Sequence, residues 1–515
     1  MERSILWVDD EIDQLKAHVI FLEEHDYKVD TASNGDDAID KVKSKRFDLV
    51  MLDEMMPGRD GLSTLVELKD IDPNLPVIMV TKSEEERLME QAIGQKIDDY
   101  LTKPVNPSQL LSAVKRILDK RRILRDHLTQ QFVAEFNRIN ARLLGPIEWQ
   151  EWISIHVRMS AMDLELENFR DIGLKQSLQD QRKQCNAEFA DFVFKNYAKW
   201  LRSEGGPLLS ADIVKKFVVP HLGEKMQTVF IVIDCMRLDQ WFMIEPVLAE
   251  YFNIQKEYYY SILPTATPFS RNAIFAGEYP DKVAELYPDV WRVNSPEYSR
   301  NRNERQLLDR QLSKLGVKLD GEAKYVKVLD FAEGQNLARK IKSYAKTPLL
   351  SVVYNFVDIL AHGRSESEIL QEIAPDEAAF RSLMKSWFVH SHLFELLQNV
   401  AGTDTTVVIT TDHGSVLGTR GAIVYGKRDT SSNLRYKYGD NLNCDPKQTF
   451  LVKDPKEYRL PTWGLATTYL FAREDYYFVY PTNYTEYRRQ YKNSFQHGGI
   501  SLDEMILPVV TLTKK

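Results

Sequence analysis

Thr406-Val407-Val408-Ile409-Thr410-Thr411-Asp412-His413-Gly414 decides how the larger part of this chain folds. Five β-branched residues make an apolar run of strand length, and the run leads straight into a carboxylate and an imidazole. Two other runs behave the same way. Thr228-Val229-Phe230-Ile231-Val232-Ile233 ends in Asp234, and Leu349-Leu350-Ser351-Val352-Val353-Tyr354 is followed by Asp358 and, four residues on, His362. Near-continuous apolar strands belong to sheets covered on both faces, and in such α/β sheets chemistry collects at the carboxyl ends of the strands. Residues 206–515 therefore read as an α/β region.

With His497 in Gln496-His497-Gly498-Gly499, these places supply Asp234, Asp358, His362, Asp412, His413 and His497. Three Asp and three His suffice for two zinc ions with three protein ligands each, leaving positions open for substrate. Two metals about 4 Å apart stabilise both the attacking and the leaving oxygen of a phosphoryl displacement. A hydroxyl nucleophile is at hand in Leu263-Pro264-Thr265-Ala266-Thr267-Pro268-Phe269-Ser270-Arg271, where Thr265, Thr267 and Ser270 are all candidates. Arg271 is placed to bind non-bridging phosphate oxygens. Between Asp412 and His497, the stretch Gly426–Tyr438 mixes cations, among them Lys427, Arg428 and Arg435, with tyrosines. Such a mixture can hold a phosphodiester backbone and stack a base. Lone histidines such as His390 and His392 are more often packed or capping residues than ligands.

Residues 1–120 alternate short apolar runs with segments of helical length. The strands are expected at Ile5–Val8, Lys28–Asp30, Leu49–Leu52, Val77–Val80 and Asp99–Leu101, which is the pattern of a doubly wound parallel sheet. Asp9, Asp10 and Glu11 follow the first strand, Asp53 ends the third, Thr81 ends the fourth, and Lys103-Pro104 follows the fifth. At converging strand ends the acids suit Mg²⁺. Asp53 can attack a phosphoryl donor to form an acyl phosphate, and Thr81 and Lys103 can bind the new phosphoryl oxygens. Residues 121–205 lose almost all Gly and Pro and carry Leu128, Phe132, Phe136, Ile139 and Leu143 at helical spacing, as expected of a helical bundle. Ser203-Glu204-Gly205-Gly206-Pro207 ends it.

The composition excludes several classes. Cys185, Cys235 and Cys444 match no disulfide or zinc-finger spacing, so metal ligands must come from His and carboxylate. No apolar run approaches the roughly 18 residues of a membrane span, and no signal-peptide pattern is present; no membrane insertion and a cytoplasmic location are expected. Net charge is −8, and residues 1–120 carry 16 Lys and Arg against 26 Asp and Glu, with the remainder near balance. No basic face is evident, so sequence-specific DNA binding is not expected.

Across about 1–120 the acidic pair, Asp53 with Met55-Met56-Pro57-Gly58, Thr81 and Lys103-Pro104 resemble the receiver domain of response regulators. The resemblance implies a flavodoxin-like fold, Mg²⁺ on Asp9, Asp10 and Asp53, Asp53 as phosphoacceptor, Tyr100 as an aromatic switch and a cis Lys103-Pro104 bond. Across about 220–515 the motifs resemble the alkaline phosphatase superfamily, and within it Thr-Pro-Phe-Ser-Arg-Asn and Thr-Asp-His-Gly-Ser look like the PglZ branch. By that resemblance Asp358, His362 and His497 hold one zinc, Asp234, Asp412 and His413 the other, and Thr267 is the nucleophile. The chain departs from the common pattern at Ala361, where Gly precedes the His of Asp-x-x-x-His. A receiver (1–120), a helical bundle (121–205) and a PglZ domain (206–515) together resemble the PorX-type response regulators of type IX secretion. The layout implies an α/β multidomain protein whose phosphorylation by a sensor histidine kinase drives homodimerisation and controls a zinc-dependent phosphodiesterase acting on a nucleotide or short oligonucleotide. The alternative is a catalytically silent zinc domain that binds a transcription partner such as a sigma factor.

Overall fold

The computed structural model describes residues 3–82, 97–167, 172–202, 205–223, 227–291, 297–426, 433–464, 466–481 and 484–515. The chain separates into two compact units, Met1–Glu135 and Phe136–Lys515. Among the described residues no helix is long and apolar enough to cross a membrane.

In the first unit, strands β1 (Arg3–Val8), β2 (Tyr27–Ala32), β3 (Leu49–Asp53), β4 (Val77–Thr81) and β5 (Asp99–Thr102) form a parallel sheet in the order β2-β1-β3-β4-β5. All five expected strands are present. β1, β3 and β4 carry apolar residues on both faces because each face has its own core. Ile5, Trp7, Met51 and Ile78 pack on one side, and Leu6, Val8, Val50 and Leu52 on the other. The helix Gly61–Ile71 is capped by Asp60, whose carboxylate accepts from Ser63 N at 2.7 Å.

The break expected at residue 120 lies inside a continuous helix, Pro107–Leu143. The physical reason is composition. Pro107 starts the helix, and neither Gly nor Pro recurs before Gly145-Pro146, so nothing in the chain stops it at 120. Two further helices follow, Trp149–Glu167 and Ile172–Trp200. Both pack by aromatic edges, with Trp152 and Phe189 at 5.4 Å, and Phe189 continues onto Tyr260 at 5.9 Å. Buried charges join the same surfaces. Arg381 meets Asp163 at 3.0 Å and Asp239 at 2.7 Å and also pairs with Glu167; Arg182 meets Asp503 at 2.9 Å.

The main sheet of the second unit has six strands in the order β7, C-terminal strand, β10, β6, β9, β8. Here β6 is Thr228–Ile233, β7 Phe252–Tyr260, β8 Lys324–Val328, β9 Leu349–Tyr354 and β10 Thr406–Thr410, and the C-terminal strand is Ile506–Lys514. β10, β6, β9 and β8 run parallel, while the C-terminal strand is antiparallel to both β10 and β7. The three strands that carry acids at their carboxyl ends, β10, β6 and β9, are thus consecutive neighbours.

Candidate functional site

Adjacent parallel strands bring their carboxyl ends together, and the six expected ligands form two groups there. Asp234 follows β6 directly, Asp412 and His413 follow β10, and each group's ligand atoms lie within 4.8 Å of one another. The second group is Asp358, His362 and His497. Asp358 and His362 sit four residues apart on one face of the helix Phe356–Glu366, which begins two residues after β9. Ala361 does not prevent this: His362 Nε2 reaches within 3.3 Å of Asp358 Oδ1 and 3.1 Å of His497 Nε2. The His362 side chain is 46% exposed, whereas His413 and His497 are buried, so the site opens to solvent on the His362 side.

The imidazoles are set up as ligands by their far nitrogens. His413 Nδ1 faces the Gly414 carbonyl at 3.1 Å, and His497 Nδ1 faces the Thr265 carbonyl at 3.3 Å. A carbonyl only accepts, so each Nδ1 carries the proton and each Nε2 presents a lone pair to the cluster. The two rings stack at 4.1 Å. Burial pushes the His497 imidazole well below its ordinary value, helped by His413, and keeps it neutral.

The acids sit in a strained charge balance. Burial, reinforced by Asp412 and Asp358, pushes the Asp234 carboxyl well above the usual range although Arg271 opposes it. Burial also works against Asp358, yet His362, His497 and His413 outweigh it and hold that carboxyl below the usual range. Asp412 Oδ2 is buried without a hydrogen-bond partner among the described residues. Converging Nε2 lone pairs, buried carboxylates and an acceptor atom left over fit divalent metal in both groups.

Thr267 begins the helix Thr267–Ala276, with Pro268 in the first turn and Gly277 closing the other end at φ 61°, a left-handed backbone suited to glycine. Its Oγ1 lies 3.0 Å from His413 Nε2 and 3.3 Å from Asp234 Oδ1. The two rival hydroxyls are committed elsewhere. Thr265 Oγ1 donates to the Gly499 carbonyl at 2.8 Å, and Ser270 Oγ donates to the Ala266 carbonyl at 3.0 Å.

Two expected substrate contacts are paired inside the protein. Arg271 is buried; its Nη1 donates to Asp234 Oδ2 and its Nε to Glu304 Oε1, both at 2.6 Å. It braces a cluster carboxylate through Nη1, with Nε held by Glu304. Arg435 is also buried, with its guanidinium on Glu504. It stands one residue ahead of the strand Tyr436–Asp440, and its charge is spent on Glu504. Lys427 and Arg428 lie outside the described residues. His390 and His392 are structural as expected: His390 Nδ1 meets the Ser386 carbonyl at 2.9 Å, and His392 Nδ1 meets Glu395 at 2.7 Å. Glu304 and Asn301, both bonded into the cluster's surroundings, had no sequence signal. They stand in an ordinary polar stretch with no motif around them.

In the first unit Asp9, Asp10 and Asp53 gather their carboxylates within the same 4.8 Å limit. Lys103 Nζ bridges Asp9 Oδ2 at 2.8 Å and Asp53 Oδ1 at 3.0 Å. Burial raises the Asp53 carboxyl, Lys103 pulls it back, and Asp9 adds to the rise. The Thr81 hydroxyl donates to Glu54, Tyr100 is turned outward with 43% of its surface exposed, and Lys103-Pro104 is cis. Clustered acids with one lysine at strand ends again fit a divalent cation.

Comparisons with known proteins match three successive parts of the chain. Residues 5–115 match the response regulator receiver domain, 122–201 the PorX response regulator linker domain, and 213–512 the BREX system PglZ alkaline phosphatase-like domain. The transcriptional regulatory protein ResD of Bacillus subtilis is 38% identical over 117 residues, 23% of this chain and 48% of ResD. The alkaline phosphatase synthesis transcriptional regulatory protein PhoP of the same organism is 35% identical over 125 residues, 24% of this chain and 51% of PhoP. The chain thus spans about half the length of these two relatives. The chemotaxis protein CheY of Halobacterium salinarum is 34% identical over 118 residues, covering 98% of CheY. Among solved structures, a CheY-like receiver domain protein from Methanospirillum hungatei is 29% identical with a TM-score of 0.23, covering 24% of this chain and 98% of that one. The chain belongs to the PglZ alkaline phosphatase-like family and carries, ahead of that domain, a response regulator receiver domain and a PorX-type linker.

Proposed function

We propose that this protein is a response regulator in which phosphorylation of Asp53 controls a zinc-dependent phosphodiesterase. The observation that carries the proposal is the position of Thr267, the one candidate hydroxyl directed at Asp234 and His413. Zinc ions held by Asp234, Asp412 and His413 and by Asp358, His362 and His497 would lower the pKa of the Thr267 hydroxyl and stabilise the attacking and leaving oxygens. The chain's own residues do the rest. Asp234 Oδ1 at 3.3 Å and His413 Nε2 at 3.0 Å flank Oγ1 and place it beside the Asp234-side metal group. The amino end of the helix Thr267–Ala276 favours negative charge at Thr267. Arg271 holds Asp234 in register. The arginine that a doubly charged monoester would need is thereby occupied, which favours a singly charged diester. A nucleotide or short oligonucleotide is the substrate class that the Gly426–Tyr438 composition suggests, with Lys427 and Arg428 as its remaining candidate contacts.

In the receiver, Asp53 takes a phosphoryl group from a sensor histidine kinase with Mg²⁺ on Asp9, Asp10 and Asp53. Thr81, Lys103 and Tyr100 then report the change, and phosphorylated chains pair as a homodimer. The PorX-type linker supports a role in protein secretion of the type IX kind, in the cytoplasm, through domains close to 1–120, 121–205 and 206–515. The test is hydrolysis of bis-p-nitrophenyl phosphate and p-nitrophenyl phosphate, with zinc and with chelator, by wild type, Thr267→Val and Asp53→Ala. Zinc-dependent release from the diester that disappears in Thr267→Val, and responds to Asp53→Ala, is expected. Bound zinc without release from either ester would refute the enzyme in favour of a binding module for a partner such as a sigma factor.

A further inference from the structure

Glu304, at the start of the helix Glu304–Lys314, is fully buried and lies outside both ligand groups. Its Oε1 accepts from Arg271 Nε at 2.6 Å and from Asn301 Nδ2 at 3.0 Å. Arg271 Nη1 passes the connection to Asp234 Oδ2 at 2.6 Å. Asn301 Nδ2 also meets the Thr267 carbonyl at 3.0 Å. On its other side Glu304 Oε2 accepts from the Tyr325 hydroxyl and faces Lys327 Nζ at 3.6 Å. One carboxylate is therefore tied to a cluster acid through Arg271 and to the nucleophile's backbone through Asn301.

The charges explain why a carboxylate is needed there. Arg271 sits 2.6 Å from Asp234 and 3.9 Å from Asp412, close enough to compete with a cation for both acids. In a buried setting that competition is strong, because little water screens it. Glu304 balances the guanidinium from the far side and aims it by a short bond to Nε. Remove that balancing charge, and Arg271 turns its full charge on Asp234.

We infer that Glu304 is a positioning residue that neutralises and orients Arg271, so that Asp234 keeps its charge available to metal while the same carboxylate fixes Thr267. The inference rests on the reading of Asp234, Asp412 and His413 as a metal site. It predicts a selective effect, since among the described residues Glu304 bonds to Arg271, Asn301 and Tyr325 and faces Lys327, and not to Asp358, His362 or His497.

The experiment is zinc titration of the full-length apoprotein against a competing chelator, for wild type, Glu304→Gln and Tyr325→Phe, with Asp358→Asn used to assign the two zinc classes. Glu304→Gln is expected to weaken the Asp234-side class by about 10- to 100-fold, the usual range for losing an outer-shell partner, with the other class unchanged. Tyr325→Phe, which keeps the carboxylate and removes one bond to it, should shift the same class by less. Unchanged zinc affinity in a folded Glu304→Gln protein, or equal weakening of both classes, overturns the inference. If Glu304→Gln fails to fold, Tyr325→Phe decides alone, and an unshifted affinity overturns it. The readout needs no turnover: zinc binding that depends on Glu304 without ester hydrolysis would refute the proposed enzyme and uphold the relay. A wild type that binds no zinc would overturn both.

Discussion

Acid should loosen the contact between the linker helices and the PglZ domain, and His156 is the group that sets the window. It lies on the helix Trp149–Glu167, fully buried, with neither ring nitrogen hydrogen-bonded among the described residues. Burial pushes its imidazole down to about 4; Asp503 and Asp239 oppose this, and Arg182 and Arg237 add to it. In the unfolded chain the value returns to about 6.5. Between these values the unfolded chain binds a proton that the folded chain refuses. The stability from a neutral His156 is therefore complete above about pH 6.5 and is lost as pH falls toward 4. The gap of roughly 2.5 units corresponds to about 3 kcal/mol at 1.36 kcal/mol per unit. About 2.5 kcal/mol of this should be gone by ~pH 4.5. Neighbouring acids such as Asp503, held low by Arg182 and Arg237 against its burial, lose stability in acid as well. The comparison with His156→Met isolates the imidazole, because Met fills a similar space without titrating. Urea midpoints of the second unit, measured from ~pH 7.5 to ~pH 4.5, should fall for both proteins but by about 2.5 kcal/mol less for the variant. Equal losses, within about 0.5 kcal/mol, would refute the reasoning, since a single-site measurement resolves that difference.

A Cβ on Gly414 would come within 1.9 Å of the Asp503 carbonyl, so Gly414→Ala must move the backbone beside His413. Zinc titration should show at least about a tenfold weaker class in a protein whose circular dichroism is unchanged. Arg381→Met leaves Asp163, Asp239 and Glu167 without their shared cation, and should cost about 3–5 kcal/mol as read from the urea midpoint. Asp53→Asn should take up no phosphoryl group from acetyl phosphate and Mg²⁺, where wild type gains one by intact mass; uptake by the variant would move the phosphoacceptor elsewhere.

The strands were legible wherever both faces are buried. β6, β9 and β10 match the apolar runs residue for residue, since a strand covered on both sides must be apolar throughout. β7 was not legible. Its sequence Phe252–Tyr260 carries a polar run, Gln255-Lys256-Glu257, in its middle, because only its end residues are buried, and its pairing with the C-terminal strand is set by tertiary contact. The candidate ligands could be read because Asp234, Asp412 and His413 closely follow strand ends and Asp358 and His362 share one face of the helix after β9. The interior pairings of Arg271 and Arg435 were not legible for a common reason. Charge in a sequence suggests exposure, and both charges are cancelled in the interior by Glu304 and Glu504, residues 33 and 69 positions away. Pairings at such separations leave no local pattern.

The two candidate sites solve one electrostatic problem in two ways. Each gathers acids within 4.8 Å at the carboxyl ends of parallel strands, an arrangement that repels itself unless a cation stands by. In the receiver that cation is Lys103, a flexible ammonium bound directly to Asp9 and Asp53. A lysine can release one acid and follow a new phosphoryl group without leaving the site, which suits a group whose charge is meant to change. In the PglZ domain the cation is Arg271, a planar guanidinium fixed by Glu304 on one side and Asp234 on the other. It cannot follow a substrate, but it can keep a ligand's direction constant. On the proposed function, the mobile cation belongs to the site that switches, and the clamped cation to the site that must hold its geometry through turnover.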